Sequence, residues 1–78
     1  MRQKTDRLIV AFFTTHDAMA FEEACLSRGV PGRLIPLPRE ISAGCGLAWS
    51  APPEEEEAVR RTLADAGITE QTMRRCLV

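Results

Sequence analysis

Apolar positions in the first half of the chain predict a strand followed by a helix. Residues 7–13, which read Arg-Leu-Ile-Val-Ala-Phe-Phe, are almost continuously apolar, as is typical of a central strand covered on both faces. Residues 16–28 follow the periodicity of a helix, with one apolar face formed by Ala18, Phe21 and Cys25. Thr14 or Thr15 is suited to cap the start of this helix, and Gly29 to end it in a left-handed conformation.

The second half predicts two strands, a helix and a final strand. The strands cover residues 33–37 and 46–50, the helix covers 54–66, and the last strand covers 72–78. Two prolines, Pro36 and Pro38, place the first of these strands at an edge of the sheet, because proline has no amide hydrogen to donate to a neighbouring strand. The helix is predicted to bury the stripe formed by Val59, Leu63 and Ala66.

This order of elements, βαββαβ, predicts an α+β domain with the ferredoxin-like fold. In that sandwich, a four-stranded antiparallel sheet has two helices on one face. A chain of 78 residues suffices for one domain with a small core. We therefore expect residues 1–78 to form a single unit, with residues 1–6 flexible.

The same topology brings three separate segments together at one end of the strands, which we call the edge of the sheet. The first helix begins where the first strand ends, and both the loop around Cys45 and residues 67–69 return to that edge. We therefore expect residues 14–16 to lie near Cys45. Cys25 and Cys76 are expected toward the opposite edge.

The first strand is apolar on both of its faces, which predicts a second covered surface. Its side chains form two alternating apolar sets, Leu8, Val10 and Phe12 on one face and Ile9, Ala11 and Phe13 on the other. The two helices cover only one side of the sheet, and a bare apolar face of this kind is unusual on a monomer. We therefore expect a protein partner or a homodimer to cover the second face.

Cys45 lies between Gly44 and Gly46 and is the main candidate for chemistry. Small neighbours leave the sulfur uncovered. Arg39 is a permanent cation nearby that would favour the thiolate, as would the N-terminus of the first helix. An uncovered thiol of this kind suits a persulfide carrier or a redox site. The alternative interpretation is a glycine-rich hairpin loop that contains a small apolar residue and has no chemical role.

Three further residues complete the candidate site. His16, at the start of the first helix, is suited to act as a general base or hydrogen-bond donor toward Cys45, or else is a local structural residue. Arg39 either holds an anion at the site or is an ordinary solvated arginine. Ser42 joins the two glycines in supporting the loop.

Composition and charge remove several classes of function. A net charge of −1, the absence of tyrosine and the small number of aromatic residues argue against nucleic acid binding. No apolar run approaches the length of about 20 residues that spans a bilayer, so we expect no membrane segment. The three cysteines form no CxxC pair, which predicts neither a disulfide framework nor a metal site. Free thiols suit the reducing cytoplasm.

Three segments resemble the bacterial selenium/sulfur carrier protein-like family, a group of small domains formerly of unknown function. They are residues 15–18 (Thr-His-Asp-Ala), residues 35–42 (Ile-Pro-Leu-Pro-Arg-Glu-Ile-Ser) and residues 45–48 (Cys-Gly-Leu-Ala). The Pro-Arg-Glu-Ile-Ser run followed by Cys-Gly is the most specific part. The resemblance extends over most of the chain, from residue 7 to residue 78.

The resemblance implies that Cys45, the cysteine that matches the motif, carries sulfur or selenium as a persulfide or selenopersulfide. Donor and acceptor proteins would be its partners, no cofactor would be needed, and the protein would be a carrier more than an enzyme. One alternative is a small regulatory or adaptor module that binds a ligand or protein at the Cys45 hairpin edge without sulfur chemistry. The other is a thiol redox sensor, which the lack of a nearby resolving cysteine disfavours.

Overall fold

The computed structural model describes residues 5–39, 41 and 45–77. Residues 1–4, Ser42 and Gly44 carry some of the predictions above and lie outside the described residues. The elements, in chain order, are β1 (Asp6–Phe12), α1 (Thr15–Arg28), β2 (Arg33–Pro36), β3 (Leu47–Ala51), a single 3-10 turn (Pro53–Glu55), α2 (Glu56–Ala66) and β4 (Glu70–Leu77). The predicted order βαββαβ is therefore confirmed.

The four strands form one sheet in the order β2-β3-β1-β4, and each neighbouring pair is antiparallel. With α1 and α2 packed on one face, this is the predicted ferredoxin-like α+β arrangement. β2 is an edge strand, as its proline predicted. β4 begins at Glu70, two residues before the predicted start, because an irregularity between Ala11 and Phe12 lets Glu70 pair with Phe12.

The start of α1 is where the sequence predicted it, but one position predicted to be buried in α2 is exposed. The Thr14 side chain accepts a hydrogen bond of 3.1 Å from the Asp17 amide, and α1 begins at the next residue. The prediction that Ala66 is buried is wrong, since it is exposed in the last turn of α2. Thr62 is buried instead, and its hydroxyl donates to the Ala58 carbonyl at 2.7 Å. This bond within the helix satisfies the hydroxyl and allows its burial.

The main core lies between the helices and the sheet. Phe21 of α1 is its centre, with its ring centroid 5.4 Å from that of Phe12 and 5.6 Å from that of Trp49, which it meets edge-on. The other buried members are Leu8, Val10, Ala18, Cys25, Ala51, Val59 and Leu63. The helical stripe predicted for α1 is confirmed.

The second face of the sheet is covered by the chain itself. Ile9 and Ala11 are fully buried there, beside Ala48 and Cys76. Ile41, from the connection between β2 and β3, folds onto this cluster and is only 6% exposed. The part of the second face formed by Ile9 and Ala11 is therefore not bare, because Ile41 covers it, with the partly buried Ile35 and Leu37 packed beside it. Phe13, which the sequence placed on the same face, follows the end of β1 and is 55% exposed. Homodimerisation itself stays a prediction.

Candidate thiol site

The sheet register brings the predicted segments to one edge. Leu47 at the start of β3 pairs with Pro36 at the end of β2, and Glu70 at the start of β4 pairs with Phe12 at the end of β1. α1 begins at the same edge, three residues after the end of β1. Cys45 lies two residues before β3, so it belongs to this edge too.

Cys45 is half-buried and its side chain is on the helix side of the sheet. It packs against the main core. Its thiol donates a hydrogen bond of 3.5 Å to the carbonyl oxygen of Leu47. Gly46 follows with a positive φ of 74°, the conformation that a glycine next to this cysteine was expected to supply. The sulfur is thus held in a defined position and stays partly open at the edge.

The connection that carries Cys45 is anchored at both faces of the sheet. The Leu37 amide donates to the Gly46 carbonyl at 3.0 Å and closes the base of the loop. The Ile41 amide donates to the Pro38 carbonyl at 3.0 Å and forms a tight turn. Ile41 is buried on the second face and Cys45 packs on the helix side, so these two residues hold the loop across the edge.

His16 and Arg39 are exposed in the structure. His16 lies in the first turn of α1 and Arg39 in the turn that precedes Ile41. Neither makes a hydrogen bond or ion pair with a described residue, Cys45 included. No hydrogen bond joins Arg39 to the Cys45 thiol in the described part of the chain. The roles of both side chains stay predictions.

The other two cysteines are buried, and all three thiols are free. Cys25 belongs to the main core and is completely inaccessible. Burial raises the pKa of the Cys25 thiol to about 11, and the positive charge of Arg28 opposes part of this rise. Cys76 is 8% exposed and packs on the second face. Cys45 is therefore the most accessible of the three cysteines.

Sequence reasoning missed the contribution of Ile41. It stands in the Pro-Arg-Glu-Ile-Ser run, which contributed only to the family resemblance. A single apolar side chain between charged and hydroxyl residues was the available signal, since such a residue in a loop often anchors it to a core. Its target could be identified only from the folded sheet.

The described residues contain neither a cluster of metal-ligating side chains nor a membrane-spanning helix. No group of three or more histidine, cysteine and carboxylate side chains within them is positioned to hold a metal ion. The same portion of the chain contains no helix that is long and apolar enough to cross a bilayer.

Fold and site together define a class, a small ferredoxin-like domain that presents one accessible thiol at the end of a hairpin. Comparison with known families identifies the family to which the chain belongs. The family described as "Putative Se/S carrier protein-like" matches residues 7–74, nearly the whole chain, and the chain belongs to this family. Searches of curated proteins and of solved structures each gave no match.

Proposed function

We propose that the protein is a carrier that holds sulfur or selenium on Cys45 as a persulfide or selenopersulfide. The observation that supports this most is the contrast among its thiols, because Cys45 is partly open whereas Cys25 and Cys76 are buried. Membership of the Se/S carrier-like family supports it independently. The carrier works without a cofactor, in the reducing cytoplasm, between a donor protein and an acceptor protein.

Loading is a transfer between two sulfur atoms. The Cys45 thiolate attacks the outer sulfur of a persulfide on the donor protein, and the donor's S–S bond breaks. The bonding electron pair leaves with the donor sulfur, which takes up the proton that Cys45 released. The products are a persulfide on Cys45 and a free thiol on the donor, with no net oxidation. A selenopersulfide donor transfers selenium by the same step.

The isolation of Cys45 suits this chemistry. A neighbouring thiol would attack the adduct, form a disulfide and release the chalcogen. Cys25 is enclosed in the main core and Cys76 lies beneath the second face, so neither is available to the adduct. In the free protein the thiol hydrogen bond to Leu47 holds the sulfur at the edge.

His16 and Arg39 are the proposed supporting residues. His16 accepts the proton of Cys45 when a donor is bound. Arg39 holds the terminal chalcogen, which carries the negative charge of a deprotonated adduct. Both side chains are exposed, and neither has a described hydrogen-bond or ion-pair partner from which it would have to be released.

Intact-mass measurement tests the proposal directly. The protein is incubated with a cysteine desulfurase and cysteine, and in parallel with a selenocysteine lyase and selenocysteine. We expect a species heavier by about 32 Da, the mass of one sulfur, or by about 79 Da for selenium. The adduct should disappear in Cys45→Ala and persist in Cys76→Ala, which removes a thiol of the same chain. His16→Ala and Arg39→Ala should load more slowly, whereas Arg75→Ala should load normally.

A negative result is interpretable if an established sulfur carrier is loaded in the same reactions. Should that carrier gain the adduct while Cys45 stays free with both donors, the carrier proposal is wrong. The adaptor module would then be the better description of the hairpin edge.

A further inference from the structure

Arginine side chains on the two layers of the molecule have different partners. In the helices, Arg28 pairs with Asp65 at 2.7 Å, Arg60 with Glu56 at 2.9 Å and Arg61 with Glu57 at 3.1 Å. The described arginines of the strands form no ion pair. They are Arg7, Arg33, Arg74 and Arg75.

Three of the strand arginines share the second face of the sheet. Arg33 is opposite Ser50, Ser50 is opposite Ile9, and Ile9 is opposite Arg74. These four residues form one row across all four strands, and cross-strand partners project from the same face. Three strand spacings separate the two arginines of the row by about 14 Å.

Arg7 adds a third positive charge beside this row. Its guanidinium Nε donates to the Ser50 hydroxyl at 3.0 Å and its Nη2 to the Ser50 carbonyl at 3.4 Å. Ser50 is 4% exposed, so Arg7 lies across it and is held in place. We call Arg7, Arg33 and Arg74 the arginine face.

The charge of the arginine face is not balanced from within the sheet. The other described strand residues on the same side are Ile9, Ala11, Ile35, Ala48, Ser50, Thr72 and Cys76, none of them acidic. The helices and the 3-10 turn carry eight acidic residues against three arginines. Charge is therefore segregated between the two layers, although the whole chain has a net charge of only −1.

We infer that the arginine face docks a partner protein through an acidic surface on that partner. Guanidinium groups pair with carboxylates through two parallel hydrogen bonds, and those on the face have no described carboxylate to release first. This docking does not depend on whether Cys45 carries a chalcogen.

Two other occupants fit the face less well. Nucleic acid would find no aromatic side chain on it for base stacking and would be repelled by the acidic helical layer. A second copy of the chain could complement the arginine face only with its acidic helical layer. In such a head-to-tail pair, one copy still has a free arginine face and the other a free helical layer. Such a contact propagates into filaments unless its rotation closes a ring.

The test uses a glutamate peptide of about 20 residues as the acidic probe, at an ionic strength of about 50 mM. Backbone amide shifts of the isotope-labelled protein are followed by nuclear magnetic resonance during the titration. We expect the shifts to concentrate on residues 7–11, 33–35, 48–50 and 72–76. Raising the salt to about 300 mM should weaken binding strongly.

Arg74→Glu and Arg75→Glu form the matched pair of variants. They are adjacent on β4 and change the charge equally, but Arg75 is opposite Leu8, on the helix side. We expect Arg74→Glu to lose at least about fivefold in affinity and Arg75→Glu less than about twofold. A double variant, Arg33→Gln with Arg74→Gln, should also bind weakly without introducing negative charge.

Three results would overturn the inference. One is equal loss in Arg74→Glu and Arg75→Glu, and another is a set of shifts on the helical layer. The third is tighter binding of an oligouridylate of equal charge at the same residues, which would make the partner a nucleic acid.

Discussion

The two faces of the sheet bury side chains of different size. The helix side buries the large side chains Phe12, Phe21 and Trp49 beneath two helices. The second side buries mostly small ones, such as Ala11 and Ala48, beneath side chains of the connection between β2 and β3, Ile41 above all. Because buried apolar area is the main stabilising contribution, the helix side supplies most of the stability.

The difference also concerns function. On the second side, the cover of the sheet and the thiol loop depend on one another, since Ile41 belongs to the connection that carries Cys45. A protein of this size has a small core. One face of its sheet nevertheless carries the arginine face and the anchor of the Cys45 loop. Variants that act on one side only can therefore separate stability from function.

The largest effect is expected from Gly32→Ala. Gly32 directly precedes β2 and lies against Trp49 of the main core. A Cβ at this position would lie 2.6 Å from two indole atoms of Trp49 and 2.7 Å from the Ser50 carbonyl oxygen. Gly32 also has a φ of 146°, which side chains rarely adopt. Urea unfolding should show a loss of about 3 kcal/mol or more in the free energy of unfolding.

Gly29→Ala is the control for this prediction. Gly29 has a φ of 70°, but a Cβ there would meet no atom within 4 Å. Its replacement should cost about 1–2 kcal/mol, from backbone conformation alone. Equal losses in the two variants would show that Trp49 moves aside and that this contact is not tightly packed.

Ile41→Ala tests the second side and should couple stability to the site. Removing a buried isoleucine side chain costs about 2–3 kcal/mol, at the low end because a loop can relax. Freed from its anchor, the loop should also expose Cys45, so that native-state alkylation of this thiol becomes faster.

Val59→Ala is the matched variant on the helix side. Val59 is fully buried in α2, and its truncation should destabilise the protein by a similar amount. Its Cys45 alkylation rate should stay that of the unmodified protein. If both variants accelerate alkylation equally, the reaction passes through global unfolding and Ile41 has no specific hold on the loop.

The raised pKa of Cys25 predicts a loss of stability in alkaline solution. Its pKa rises from 9.0 to about 11 on folding, so above pH 9 the unfolded chain releases a proton that the folded protein retains. The free energy of unfolding should therefore fall as the pH rises from 9 to 11, by about 2 kcal/mol, and be unaffected by this group below pH 9.

The sequence makes that measurement unusually clean. The chain has no tyrosine and a single lysine, so few other groups titrate in this range. Cys25→Ala should have a correspondingly flatter alkaline profile. An unchanged slope in Cys25→Ala would assign the alkaline loss to other groups.

Local chemistry made much of the fold predictable. The end of α1 follows from Gly29, its start from Thr14, and the edge position of β2 from Pro36. These signals act through the backbone of neighbouring residues, so they can be recognised without knowing what packs nearby.

The features that escaped prediction depend on contacts between distant residues. The burial of Ile41 requires knowing which sheet face lies beneath the loop, and the arginine face requires the register of β2, β3, β1 and β4. Thr62 replaced Ala66 in the core because a hydroxyl satisfied within its own helix can be buried. The position of Cys45 at the edge where α1 begins was predictable, but its hydrogen bond to the Leu47 carbonyl was not.

The smallest effect is expected from Cys45→Ser, which should change the free energy of unfolding by less than about 0.5 kcal/mol. Cys45 is half-buried, and a serine hydroxyl can still donate to the Leu47 carbonyl, so little is lost. Cys25→Ser is the matched change on the helix side and should cost about 1–3 kcal/mol, because a hydroxyl in the main core replaces an apolar thiol. Chemical denaturation of the two variants gives the comparison. A larger loss at Cys45 would make this cysteine a structural residue and would weaken the carrier proposal, whereas a near-neutral change leaves its thiol free for chemistry.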